Sequence, residues 1–390
     1  MNLEAIQKLV IEKSISIDIE AGITLQIKNE AFRPGTVRVH LPAPINASWL
    51  KEGQLLDSEP MFRMASVEDY PQRSVYYNER LTENTPFSVK YAFASTHTYI
   101  KPDINLIDST QQKEFSTEEI ERFSKNHHCG CESYTALPQD AVSILDVIED
   151  RGITFNEDYN LYIDQIMRSF PVCGSSTLEK KIKNGTIVYS IYRFIIENFT
   201  KMGRTDHNIA FVAMCRMCGI PARWQGGWAT SSPVSPLMPN SSTNIDDGEI
   251  KAHDSKSNAI KHDWAMVHLL PYGWIYVDCS FGSEALTRNL SLEVTNCNSD
   301  TPSIDNNVQI ELCEYFFGNI DPCMVPTASA PGADLYPAKD YERADKMFNV
   351  YGEVELVPDK LGAEGHFEGY GLSLKDYEST VSLAIISQTN

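Results

Sequence analysis

A histidine and an aspartate, His262 and Asp278, stand at matching distances from a turn signal in the sequence. The turn signal Pro271-Tyr272-Gly273 separates two apolar segments, and each of the two residues lies eight positions from residue 270, the expected middle of a hairpin. In that arrangement they face each other across two antiparallel strands and project from the same side. A carboxylate beside an imidazole fixes its tautomer and raises its basicity, as catalytic His–Asp pairs require. An ordinary cross-strand polar pair is the alternative.

Cysteine is the usual nucleophile beside such an imidazole, and the chain has nine cysteines. Cys215 and Cys218 form a C-x-x-C pair, but at the far end of an apolar helix, where the helix dipole does not activate a thiol. Cys279 follows Asp278 directly and is expected on the opposite face of the strand. We therefore predict core packing for the C-x-x-C pair and do not expect Cys279 to be the partner of His262.

Residues 127–132 read His-His-Cys-Gly-Cys-Glu and concentrate metal-binding side chains. They lack a second ligand pair at zinc-like spacing, so we predict a polar loop and no metal. A zinc site is one alternative, and a route by which Cys129 or Cys131 reaches His262 is another. The acidic run at residues 246–249 is too short for a calcium loop and is predicted to be solvated. Because no Walker loop, His-Glu-x-x-His or Gly-x-Ser-x-Gly motif occurs, no cofactor is predicted.

Several of these segments resemble a known family. Residues 211–224 are similar to the central helix and the following strand of the transglutaminase-like superfamily, which has a papain-like fold. The segments His262–Trp264 and Gly273–Asp278 resemble the strands that carry its histidine and its aspartate. Residues 224–228 and 280–282 are similar to a bacterial branch of transglutaminase-like and cysteine protease-like proteins. The resemblance implies a papain-like core and, as the reaction class, amide hydrolysis or acyl transfer.

The same resemblance implies where the nucleophile should be. In the family a cysteine begins the central helix, 15 residues before the Gly of Gly-Ile-Pro, where the helix dipole favours the thiolate. Counting back from Gly219 reaches Arg204, and no cysteine stands within ten residues on either side. Thr205 is the only other nucleophile type in that turn, and it would need an unusually strong base. We therefore predict that Arg204 occupies the nucleophile position, where a guanidinium and helix N–H groups would attract an anion.

The elements that position these residues follow from the periodicity of the sequence, which predicts an α+β protein. Residues 1–105 alternate apolar and polar positions between turns and predict an N-terminal β-sandwich. Residues 140–300 are predicted to hold the transglutaminase-like core, with one helix from Thr186 and a second, buried helix that Gly219-Ile220-Pro221 ends. Alternation returns over residues 310–390, which predicts a β-rich C-terminal region.

Charge and composition exclude several classes of partner. The chain has 390 residues, a formal net charge of −20 and a pI near 4.8, which argues against nucleic acid and against an anionic membrane surface. No apolar stretch approaches the ~18 residues of a membrane span, and residues 1–14 lack the apolar run of a signal peptide. The odd number of cysteines fits reduced thiols, so we predict a cytoplasmic location.

Two functions are compatible with these patterns. The first is a pseudoenzyme that keeps His262 and Asp278 but binds a peptide, a protein or a small carboxylate or acyl ligand. Trp224, Trp228 and Trp264 would then line an aromatic groove, although core filling is an equal alternative for each ring. The second is an enzyme of the family's reaction class that uses a displaced nucleophile, or a different reaction at the His–Asp pair.

Overall fold

The computed structural model describes residues 3–45, 47, 49–50, 53–65, 73–112, 183–198, 204–217, 220–230, 259–287, 306–329, 335, 352–358, 370–373 and 375–389. The chain divides into two compact units. Unit 1 contains Met1–Thr98, Gly226–Lys261 and Asp321–Asn390, and unit 2 contains Tyr99–Gln225 and His262–Ile320. The protein is mixed α and β, as its sequence predicts.

The elements run in the following order. The helices within the described ranges are α1 (Leu3–Glu12), α2 (Ile104–Ser109), α3 (Asn184–Asn198), α4 (Arg204–Met217), α5 (Cys279–Thr287) and α6 (Asn306–Tyr315). The strands are β1 (Ser14–Ile27), β2 (Gly35–Pro42), β3 (Gln54–Glu59), β4 (Met64–Ala65), β5 (Ser74–Leu81), β6 (Phe87–Thr98), β7 (Ala222–Thr230), β8 (Ala259–Leu269), β9 (Gly273–Val277), β10 (Phe317–Gly318), β11 (Val325–Ala328), β12 (Glu353–Pro358), β13 (Tyr370–Gly371) and β14 (Tyr377–Thr389). No helix in these ranges is long and apolar enough to cross a membrane.

Unit 1 contains two antiparallel sheets, in the strand orders β14-β1-β6-β3 and β13-β12-β2-β5-β4. Burial alternates along β1 and β6, as the period-two pattern of the sequence predicts. The first strand and the last strand of the chain are neighbours, since β1 pairs with β14 from Ser16↔Thr389 to Ile27↔Tyr377. β12 likewise pairs with β2. The β segments at the two ends of the sequence therefore share both sheets.

β7 begins in unit 2 and ends in unit 1, where Gly226–Trp228 pairs with β11. The backbones approach so closely there that a Cβ on Gly227 would lie 1.9 Å from the carbonyl oxygen of Val325. Gly227, the second glycine of the Trp-Gln-Gly-Gly-Trp segment, is thus required by strand packing.

In unit 2 the strand order is β10-β9-β8-β7, and helices α2 to α6 accompany it. α4 is buried through residues such as Phe211 and Met214, as predicted for the central helix. Its C-terminal end is closed by the Ile220 N–H, which donates to the Cys215 carbonyl, and Pro221 follows. α3 packs so closely on α5 that a Cβ on Gly282 would lie 2.3 Å from the Tyr192 hydroxyl oxygen.

The hairpin of β8 and β9 carries the His–Asp pair. Its register runs from Ala265↔Val277 to Leu269↔Gly273, so residues 270–272 form the turn and residue 271 is its centre. The predicted centre at residue 270 is therefore wrong by one residue, and the predicted direct pairing of His262 with Asp278 is wrong by two. The reason is that β8 continues through Leu269 and the turn includes Tyr272, so Gly273, with φ +77°, is the first residue of β9. A shift of two residues keeps the same face, so both side chains still project from one side.

Candidate functional site

His262 and Asp278 form a hydrogen-bonded pair in the interior of unit 2. His262 lies on β8 and Asp278 follows the last residue of β9, so the two antiparallel strands bring them together. The Nε2 atom of His262 and the Oδ2 atom of Asp278 are 2.7 Å apart, and neither side chain is exposed. The distance is that of a strong hydrogen bond between an imidazole and a carboxylate.

The second oxygen of Asp278 caps helix α5. Its Oδ1 atom accepts a hydrogen bond from the Phe281 N–H and another from the Ser280 hydroxyl, both at 2.9 Å. Burial alone would raise the pKa of this carboxyl group, but the charge and hydrogen bond of His262 and the two bonds to Oδ1 together lower it below its usual range. The N-terminus of α5 adds partial positive charge. Asp278 is therefore held as a carboxylate.

The hydrogen-bonding role of each imidazole nitrogen follows from the ionised state of the carboxylate. Because an ionised carboxylate only accepts hydrogen bonds, the Nε2 atom of His262 must donate, which leaves Nδ1 as the nitrogen that can bind another group. The ring stacks on Phe281, with centroids 3.9 Å apart and planes 16° apart. Nδ1 is buried and has no hydrogen-bond partner among the described residues. The ring is thus held through Nε2, and Nδ1 is the nitrogen without a hydrogen-bond partner among the described residues.

Helix α4 begins at Arg204, the residue that the family resemblance places at the nucleophile position. The Arg204 side chain lies outside the described side chains, as does that of Thr205. Asn208 lies one helical turn further and is fully buried. Its Nδ2 atom donates to the Asp263 carbonyl at 2.8 Å, and its Oδ1 atom accepts from the Cys279 N–H at 2.9 Å. Since residues i and i+4 share a helix face, position 204 lies on the face of α4 that Asn208 turns toward the His–Asp segments.

The described cysteines do not supply a thiolate to this site. They are Cys215, Cys279, Cys313 and Cys323, and all four are buried. Burial and the neighbouring Asp278 raise the pKa of Cys279 well above its usual range, and burial raises that of Cys313 to about 11. Thiols of this kind are inert rather than nucleophilic. Cys129, Cys131 and Cys218 lie outside the described residues.

The three predicted ligand-binding tryptophans are all in the core. Trp224 is 3% exposed, and Trp228 and Trp264 are 0% exposed. The Nε1 atom of Trp224 donates to Oδ2 of Asp263 at 2.7 Å, and that of Trp264 donates to Oε1 of Gln225 at 2.9 Å. The structure thus shows the core-filling alternative, and ligand contact by these rings stays a prediction that their burial argues against.

No group of three or more His, Cys, Asp or Glu side chains that could hold a metal occurs in the part of the chain that the structure describes. Residues 127–132 and 246–249 fall outside it, so the predictions for those two segments stay predictions.

Sequence reasoning missed the residues that support the pair, namely Asn208, Ser280 and Phe281. Ser280 and Phe281 lay in a segment that resembles the family, and Asn208 had a signal of its own, because it is an uncharged polar residue in a helix whose following residues are apolar.

A buried imidazole–carboxylate pair on a hairpin, beside the first turns of a central helix, is the arrangement that the resemblance to papain-like proteins implies. Residues 191–279 match the model of the transglutaminase-like superfamily, so the chain contains a transglutaminase-like domain, as predicted. The matched range includes His262, Asp278 and all of α4.

One solved structure is similar to this chain, the "Putative Cysteine Protease from Cytophaga hutchinsonii". The two share 14% sequence identity with a TM-score of 0.38, over 96% of this chain and 91% of that chain. No curated protein matches the chain.

Proposed function

We propose that the transglutaminase-like domain of this protein is a pseudoenzyme, which binds a ligand at the His262–Asp278 pair without forming a covalent intermediate. One observation carries the proposal: helix α4 begins with Arg204, where the family resemblance places the nucleophilic cysteine. A guanidinium is protonated at all physiological pH values and has no lone pair to attack a carbonyl group.

The surroundings of the pair support binding. A buried nitrogen without a hydrogen-bond partner costs about 1–3 kcal/mol, and His262 presents Nδ1 in this way within the described residues. A ligand atom that forms a hydrogen bond with Nδ1 would remove that cost. The start of α4 adds N–H groups and the Arg204 charge, which favour a carboxylate. These features support a peptide, a protein segment or a small carboxylate or acyl compound as the ligand.

A second candidate function is supported by the chemistry that the pair retains. Asp278 is held ionised and fixes the imidazole tautomer, which is what a general base at Nδ1 requires. An enzyme could use that base with a nucleophile from residues outside the described ranges, such as Cys129 or Cys131. The candidate reaction is amide hydrolysis or acyl transfer.

Acylation by p-nitrophenyl acetate separates the two candidates. An attacking thiol forms a bond from sulfur to the acetyl carbon, the ester C–O bond breaks, p-nitrophenolate leaves, and the thiol proton passes to the imidazole. For the wild type we expect no release of p-nitrophenolate beyond that of His262→Ala. Arg204→Cys should give a burst of about one equivalent that disappears in the double variant with His262→Ala. Arg204→Ser is the matched control, because its hydroxyl occupies the same position without thiol reactivity.

Iodoacetamide labelling gives the second measurement. In the wild type near pH 7 we expect no cysteine to react unusually fast in a way that depends on His262. Rapid labelling of Cys129 or Cys131 that is lost in His262→Ala, or a His262-dependent burst in the wild type, would overturn the pseudoenzyme proposal and support the enzyme.

For unit 1 we propose that the two sheets form a β-sandwich. Support comes from Tyr77 on β5, which is buried and donates its hydroxyl hydrogen to the carbonyl of Ser88 on β6, at 3.0 Å. β5 and β6 belong to different sheets, so this side chain crosses from one to the other. The net charge of −20 supports ligands other than nucleic acid or anionic membranes, and the odd number of cysteines supports a reducing compartment such as the cytoplasm.

A further inference from the structure

Asn208 joins the two chain segments that carry the His–Asp pair. Its amide is fully buried on the second turn of α4. Nδ2 donates to the carbonyl of Asp263, the residue after His262, and Oδ1 accepts from the N–H of Cys279, the residue after Asp278. Nδ2 also lies 3.5 Å from the hydroxyl oxygen of Ser280, which itself donates to Asp278. One side chain is therefore bonded to the immediate neighbours of both members of the pair.

Only a primary amide fits these partners. The Asp263 carbonyl needs a donor and the Cys279 N–H needs an acceptor, and the asparagine side chain offers both on one carbon. Leucine has a similar size but neither group. Aspartate keeps the acceptor, cannot donate when ionised, and brings a second negative charge beside Asp278. The geometry is thus specific to asparagine at this position.

We infer that Asn208 is a positioning residue, which sets the distance between His262 and Asp278 by fixing the backbone on either side of them. The use that a ligand makes of that geometry rests on the proposed function, whereas the geometry itself can be measured without a ligand. Displacements of about 1 Å at a reacting pair cost about 100-fold in rate. The effect of losing Asn208 should therefore appear at the imidazole and not only in the stability of the protein.

Asn319 provides a matched control in the same unit. It is buried, and its Oδ1 atom accepts a hydrogen bond from the Ile100 N–H at 2.9 Å. Its Nδ2 atom donates to the carbonyls of Ile100 and Tyr315, at 2.7 and 3.0 Å. Asn319→Leu removes three backbone hydrogen bonds, one more than Asn208→Leu, without touching residues 263 or 279.

The experiment is proton and ¹⁵N NMR of the His262 imidazole in the full-length protein, with His262→Gln to assign the signals. In the wild type the Nε2–H that is bonded to Asp278 should give a low-field proton protected from exchange with water. We expect Asn208→Leu and Asn208→Asp to shift that proton upfield and to accelerate its exchange about tenfold or more, while Asn319→Leu leaves it in place. Circular dichroism establishes that each variant is folded.

Kinetics in the Arg204→Cys background supply a second readout. There Asn208→Leu should slow acylation by p-nitrophenyl acetate about 100-fold, and Asn319→Leu less than about threefold. An unchanged low-field proton in folded Asn208→Leu and in folded Asn208→Asp would overturn the inference, whatever the activity. A His262-dependent burst in the wild type would instead overturn the proposed function and leave the NMR result for Asn208 standing.

Discussion

Substitution of Asp278 gives the sharpest test of the site, because its carboxylate has two structural tasks. It accepts hydrogen bonds from His262 Nε2, Ser280 Oγ and Phe281 N, at 2.7, 2.9 and 2.9 Å. In Asp278→Ala, loss of the helix cap costs about 0.5–2 kcal/mol. The buried imidazole and hydroxyl donors lose their acceptor, at about 1–3 kcal/mol each. Because such terms overlap, we expect the free energy of unfolding to fall by about 3–5 kcal/mol.

Asp278→Asn separates the cap from the charge. Its side-chain oxygen can still accept from the Phe281 N–H, so most of the cap should survive, but the amide cannot hold the imidazole as a carboxylate does. We expect a loss of about 1.5–3 kcal/mol, roughly that of one charged hydrogen bond. Equilibrium urea unfolding at pH 7, followed by circular dichroism, measures both variants against the wild type.

The pH dependence of these losses tests the ionised state of Asp278. The folded protein lowers the pKa of this carboxyl group, so its contribution to stability is fully present above the unfolded pKa of about 3.9 and is lost as the pH falls through the lower folded value. The difference between wild type and Asp278→Asn should therefore shrink as the pH falls below about 4. If Asp278→Ala unfolded within about 0.5 kcal/mol of wild type at pH 7, the reasoning about the cap and the pair would be refuted.

Two further predictions concern other charges in the protein. Acetate or succinate should raise the thermal midpoint of the wild type more than chloride does at the same ionic strength. This additional stabilisation should be absent in Arg204→Ala. Equal stabilisation of both proteins would rule out Arg204 as an anion site. Burial lowers the pKa of His97 from 6.5 to about 4, although a hydrogen bond with the backbone of Pro322 acts in the opposite direction. The contribution of this buried neutral histidine to stability is therefore fully present above about pH 6.5 and is lost as the pH falls toward 4. A pKa lowered from 6.5 to about 4 corresponds to a loss of about 3 kcal/mol in the free energy of unfolding, at about 1.36 kcal/mol per pH unit. In urea unfolding from pH 7.5 to pH 4.5, the stability of His97→Gln should depend less on pH than that of the wild type. The same pH profile in both proteins would contradict this prediction.

The sequence predicted the His–Asp pair because a hairpin converts spacing along the chain into proximity. The error of two residues in register came from the ends of the turn, because Leu269 is still paired in β8 and Tyr272 still belongs to the turn. The error kept the faces correct because side chains alternate with a period of two. Spacing around a turn therefore predicts which face a residue occupies better than it predicts the partner.

Asn208 could not be predicted in the same way, because its partners are backbone atoms of residues 55 and 71 positions away. Every residue has those atoms, so no residue type identifies them. The pairing of β1 with β14 is hidden for a related reason, since alternation shows that a strand has a buried face but not which strand lies beside it. The tryptophans present a third case, in which a large apolar ring fits a core and a groove equally well until burial is known.

The contacts around the site also show which residue needs a functional explanation. Asp278 would be favoured by folding alone, because it caps α5 whatever happens at position 204. His262 has no such role: a buried imidazole that leaves Nδ1 without a partner among the described residues is less stable than an apolar side chain stacked on Phe281 would be. The bonds that hold the pair come from Ser280, from the Phe281 backbone and, through neighbouring residues, from Asn208, so none of them depends on a nucleophile at position 204. The geometry of the pair therefore does not require a cysteine at position 204, and the ligand that we propose at Nδ1 would give the buried imidazole a function.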